Sequence, residues 1–89
     1  MYALTYTYKH EKFDISDFSI PAVSEDKDKL IKMMQEETKD IKERFCENYG
    51  YDNDDVEVDI TETSVDVYQS RHFDYHRMSW EIIEVEQVL

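Results

Sequence analysis

Residues 24–50 read SEDKDKLIKMMQEETKDIKERFCENYG, and this stretch decides the fold. Leu30, Met34, Thr38, Ile41, Phe45 and Tyr49 follow a 4-4-3-4-4 spacing, with Ile31 and Cys46 widening the stripe. Apolar residues at that spacing line one face of an amphipathic helix. Ser24 is suited to the N-cap, and Glu25 and Asp26 in the first turn favour the positive helix end. Gly50, the one glycine of the chain, sits where the helix should stop. Glu25–Lys29, Asp28–Lys32 and Asp40–Arg44 are acid-before-base pairs four residues apart, each worth a few tenths of a kcal/mol. The pattern predicts one helix over 25–49, about 37 Å long at 1.5 Å per residue.

On the N-terminal side, residues 2–8 alternate. Tyr2, Leu4, Tyr6 and Tyr8 share one face; Ala3, Thr5 and Thr7 share the other. That is the signature of a half-buried strand. The stretch 13–23, with Phe13, Ile15, Phe18 and Ile20, reads as a short second strand or as an extended cover over one end of the core, closed by Pro21.

On the C-terminal side, alternation resumes with Val56, Val58 and Ile60. The parity then slips, since Val65 and Val67 are odd-numbered. A bulge near Thr61–Ser64 within one long strand over 56–68 accounts for the slip. A tight hairpin is the alternative, ranked lower because Thr-Glu-Thr-Ser lacks Gly, Asn, Asp and Pro. A turn follows near 70–74. The last strand, over 76–88, places Met78, Trp80 and Ile82 on one face and slips again at Ile82-Ile83. The expected architecture is α+β, in the order β-α-β-β. One long helix lies on a mainly antiparallel three-stranded sheet, four-stranded if 13–23 joins it.

Eighty-nine residues suit one domain with a modest core. Twelve aromatics mark it as a folding chain despite 36% charged residues. The net charge of −12 is uneven: −1 over residues 1–24, −2 over 25–49 and −9 over 50–89. Phosphates would be repelled, so direct binding to nucleic acid or to an anionic membrane is disfavoured and a basic partner favoured. One cysteine allows no internal disulfide. No signal-like start and no membrane-length apolar run is visible, so the chain reads as cytoplasmic.

Each candidate site has a plain structural alternative. Asp52, Asp54, Asp55, Glu57 and Asp59 form the densest acidic cluster. Counted from Asp52, an EF-hand would need an acid where Val56 stands, glycine at Glu57 and glutamate at Thr63, so the pattern fails. A solvated turn is the default reading. His72 and His76 flank Asp74 in a predicted turn and strand, where their spacing has no ligating meaning, and read as a surface pair. Cys46 lies at the negative end of a helix beside Glu47, unsuited to a nucleophile, and reads as a partly buried packing residue. One glycine cannot build a phosphate loop, and no catalytic constellation or cofactor motif is present.

The remaining feature is a row of carboxylates on the predicted hairpin: Glu57, Asp59, Glu62, Asp66, Glu81, Glu84 and Glu86. Alternate strand residues stand about 6.6–6.8 Å apart. Such a row offers a phosphate-like line of charge, against the alternative of simple solubility. In size and charge the chain is similar to small acidic proteins of phages and mobile elements that inhibit nucleic-acid enzymes, a likeness no motif carries. The leading expectation is a non-enzymatic binding protein. It would present Asp52, Asp54, Asp55, Glu57, Asp59, Glu62, Asp66, Glu81, Glu84 and Glu86 to a basic nucleic-acid-handling protein. The alternatives are an assembly module that homodimerises through its open sheet face or its apolar last strand, and a divalent-cation or small-ligand sensor at 52–59.

Overall fold

The computed structural model describes residues 1–10, 15–69 and 76–85. Five strands, β1 (Tyr2–His10), β2 (Ile15–Ser24), β3 (Val56–Ile60), β4 (Ser64–Gln69) and β5 (His76–Glu84), form one antiparallel sheet in the order β2-β1-β5-β4-β3. Two helices, α1 (Lys27–Glu37) and α2 (Ile41–Tyr49), cover one face. The order is thus ββααβββ, and the expected β-α-β-β unit with one long helix on three or four strands is overturned.

The apolar stripe is where the spacing placed it: Leu30, Met34, Ile41 and Phe45 are all buried. The continuous helix is not. Thr38 donates both its amide and its hydroxyl to the Met34 carbonyl, a back-bond that bends the end of a helix. Asp40 then adopts the left-handed conformation at φ 56°, which Asp tolerates better than most residues. Arg44, paired with Asp40 in the sequence reading, instead turns its guanidinium back onto the carbonyls of Glu37 and Lys39 and caps α1. The break re-aims the chain over a twisted five-stranded surface: α1 packs on β1, β2 and β5, and α2 on β3 and β4. The N-cap of α1 is Asp26, accepting from the Asp28 and Lys29 amides, rather than Ser24, whose hydroxyl accepts from the Asp26 amide. Gly50 does close α2, at φ 71°.

Both parity slips have causes other than a bulge. The first is the tight hairpin between β3 and β4. Its turn is built from hydroxyls: Thr61 Oγ1 meets Ser64 Oγ at 2.6 Å and accepts from the Thr63 amide, and the Thr61 amide donates to the Ser64 carbonyl. The second is no slip at all. Pairing of β5 with β1 runs unbroken to Tyr2↔Glu84, so Ile82 enters the core while Ile83 stands on the open face. Among the described residues the one irregular register lies in β2, for which the sequence allows either a strand or an extended cover. Ile20 and Pro21 together oppose Thr5, so Pro21 sits at a bulge inside an edge strand instead of ending it. The turn expected near 70–74 and the end of the strand expected over 76–88 lie outside the described residues.

The core joins Leu4, Val56, Val65, Val67, Trp80 and Ile82 of the sheet to the four stripe residues of the helices. Phe45, 1% exposed, anchors α2. Its truncation to Ala would cost about 3–5 kcal/mol, much of the margin of a small domain.

Candidate functional site: the acidic margin and its surroundings

Strand parity divides the acidic row. Glu57 and Asp59 on β3, Asp66 on β4 and Glu81 on β5 share the open face, away from the helices. Glu84 pairs with Tyr2 and takes the same face as Ile82, so it leaves the row. Glu62 lies in the β3–β4 turn. Asp52, Asp54 and Asp55 belong to the approach to β3, where Asn53–Asp55 form a single 3-10 turn. Glu86 lies outside the described residues. The row across the hairpin is therefore a margin along β3 rather than a ladder over two strands. Asp52 and Asp54 precede it, Glu57 and Asp59 run along it, and Glu62 follows it, all five exposed.

Two of these carboxylates are held in place. Tyr68, opposite Glu57 on β4, donates toward Glu57 Oε2 at 2.9 Å and Asp59 Oδ2 at 3.1 Å. The shared donor offsets repulsion between two acids two residues apart, and donating to two carboxylates pushes the Tyr68 phenol up to about 12. Further into the sheet the charge is neutralised. Arg77 Nε meets Asp66 Oδ1 at 2.9 Å, Ser79 donates to the same oxygen, and the guanidinium lies over the Tyr68 ring at 5.7 Å. Partial burial works to raise the Asp66 pKa, but the bonds from Arg77 and Ser79 outweigh it and hold the carboxyl below its ordinary value. Beside this pair, Thr7, Lys9, Ser64, Ser79, Trp80 and Glu81 join Asp66 and Arg77 in lining an open concavity of about 350 Å³.

The helix side holds what the sequence reading missed. His76, read as a surface histidine, is 0% exposed. Its Nδ1 lies 3.0 Å from the Tyr51 hydroxyl and its Nε2 2.8 Å from the Tyr8 hydroxyl. Phe45, Tyr49 and His10 stack around it at ring separations of 4.3–4.8 Å. Burial, with the His10 imidazole alongside, pushes His76 down to about 4. Burial and a hydrogen bond with Tyr49 push Tyr8 up to about 12. Both groups are neutral and paired near neutrality, which makes the cluster a polar keystone of the core. Cys46 is half-buried against the core, as expected.

Where the helix breaks, a second concavity of about 300 Å³ opens onto Leu4, Tyr6, Met33, Met78 and Trp80, with Glu37 and Arg44 at its mouth. Among the described residues no three His, Cys, Asp or Glu side chains converge as a metal centre would require. Among the same residues no helix is long and apolar enough to cross a membrane. Comparison with known proteins gave no significant match to a family model, to a curated protein or to a solved structure.

Proposed function

We propose that this chain is a non-enzymatic binding protein that docks its acidic β3 margin on the basic surface of a nucleic-acid-handling protein and blocks it. The observation that carries the reading is the pair Glu57 and Asp59, held by one Tyr68 hydroxyl on an exposed edge strand, with Asp52 and Asp54 before it and Glu62 after it. Fixed carboxylates lose less freedom on meeting a cation than mobile ones, so affinity gains from pre-organisation. Their spacing along the strand, about 6.6–6.8 Å, suits a groove that binds a phosphate row. The surface used is smaller than the full row read from the sequence, because Arg77 neutralises Asp66 and Glu84 lies on the other face.

The test is capture from a lysate on the immobilised chain at low ionic strength, followed by assay of the captured protein's nucleic-acid binding. The expected result is a basic nucleic-acid-binding protein that salt releases and whose nucleic-acid binding the chain suppresses. Changing Asp52→Asn, Asp54→Asn, Glu57→Gln and Asp59→Asn together should weaken capture by about tenfold or more. Retention of no basic protein, or equal capture by the four-site variant, would sink the reading.

A further inference from the structure

The two edges of the sheet are protected to different degrees. β3 is five residues long and carries Glu57 and Asp59. Short length and charge are the usual protections of an edge against pairing with another chain. β2 is ten residues long and carries one charge, Asp17. Phe18, Ile20 and Val23 along it are 66%, 55% and 59% exposed. Phe18 pairs with Thr7 and Val23 with Ala3, so both stand on the open face, and Ile20 follows the parity of Phe18. Ile83, opposite Ala3 on β5, extends the same apolar field. Pro21 and the bulge, which begins at Ile20, blunt only the second half of the edge; Ser16–Ser19 is left regular.

We infer that β2 is the seat of a homodimer, formed by antiparallel pairing of residues 16–20 of two copies about a two-fold axis at Phe18. Three observations select a second copy. First, an antiparallel edge is its own complement under two-fold symmetry. Centred on Phe18, the pairing sets Phe18 against Phe18, Ser16 against Ile20 and Asp17 against Ser19, so no acid faces an acid. Second, in a chain of net charge −12, this edge lies at the end of the sheet farthest from the acidic margin, and contact there keeps like charges apart. Third, the area fits. Side chains this exposed offer on the order of 100 Å² each. Phe18 and Ile20, the two within the paired segment, supply about a quarter of the roughly 800 Å² per partner that a standard interface buries, and the strand edge supplies more. Because β3 is short and acidic, pairing closes at two copies instead of growing into a fibre. The contact leaves the acidic margin free, so it stands or falls independently of the function proposed above.

An interface at the low end of the size range places dissociation at about 10–100 µM. Sedimentation equilibrium across that range should show the mass rising from 10.8 kDa toward twice that value. Added salt should strengthen the dimer by screening its self-repulsion, the opposite of its effect on docking to a basic partner. Phe18→Asp should be monomeric throughout, with unchanged far-ultraviolet circular dichroism. Phe18→Ala, too mild to disturb an exposed position, should weaken the dimer by about tenfold, as loss of a central aromatic anchor does. Ile60→Asp, at a 72% exposed position on the other edge, should dimerise like the parent chain. A parent chain that stays monomeric in high salt overturns the proposal. So does Phe18→Ala dimerising as the parent does, or Ile60→Asp abolishing the dimer.

Discussion

His76 carries a stability cost that depends on pH. It is neutral in the folded protein, where burial and His10 hold it near 4, and takes up a proton near 6.5 when unfolded. The groups facing it are Tyr8 and His10 of β1, Tyr49 of α2 and Tyr51. The stabilisation from its neutral form is therefore complete above pH 6.5 and is lost as pH falls from 6.5 toward about 4, on the order of 1 kcal/mol per pH unit. Urea unfolding at several pH values should show this slope. His76→Phe, which keeps a ring among Phe45 and Tyr49, should flatten the difference over that window. A variant with the parent's slope would place the titration elsewhere. Tyr68 gives a second residue-level test. Ultraviolet titration of Glu57→Gln with Asp59→Asn should move one phenol down from about 12 toward 10, because its two acceptors lose their charge. The histidine escaped the sequence reading because its name and its place beside a predicted turn suggested the surface. No pattern in one chain reports that Tyr8 and Tyr51 converge on it from 68 and 25 residues away.

At the level of elements, side-chain periodicity carried the helical stripe and the sharing of faces along β1, but not the number of strands or helices. The stripe from Leu30 to Phe45 reports burial, and the alternation from Tyr2 to Tyr8 reports which residues share the helix side, although Ala3 and Thr5 on the other side are buried too. Backbone events were not legible. The helix break depends on a left-handed Asp40 inside an unbroken stripe, and the β3–β4 turn on hydroxyl bonds in Thr-Glu-Thr-Ser, where glycine or proline was sought. β2 was left undecided because its apolar residues lie on both faces and a proline sits inside it. Of the acidic site, the residues were legible and their faces were not, since assigning them required the hairpin. The break leads to a prediction. Asp40→Gly should stabilise the protein by about 0.5 kcal/mol through relief of the left-handed strain, and Asp40→Val should destabilise it by about 1–2 kcal/mol. Thermal unfolding of the two variants decides it; equal effects would mean that Asp40 stores no strain. Arg44→Ala should cost about 1 kcal/mol by exposing the last carbonyls of α1.

For the whole molecule, the division of surface matters more than any one group. The margin at β3 is acidic and the margin at β2 is apolar, with β1, β5 and β4 between them. A solution of this protein should respond to salt in two opposed ways, releasing a basic partner and tightening self-association. Raised salt should also lift the melting temperature of the free chain, because a net charge of −12 strains the compact state. A melting temperature that falls with sodium chloride would show that local pairs such as Arg77–Asp66 outweigh the overall repulsion.

The position of β5 has a consequence for how the protein is made. Among the described residues it is the last strand and the central one in the sheet, the bridge between the β1–β2 and β3–β4 hairpins. Each hairpin can close soon after its own residues emerge from the ribosome, but nothing joins them until residues 76–84 are free. Up to that moment the nascent chain holds two half-sheets, each with an open edge waiting for β5 and an apolar face that the helices cannot fully shield. Non-local pairing of this kind is slow, and exposed edges recruit other chains. A released chain cut after residue 69, which lacks β5, should therefore be a substrate for chaperones.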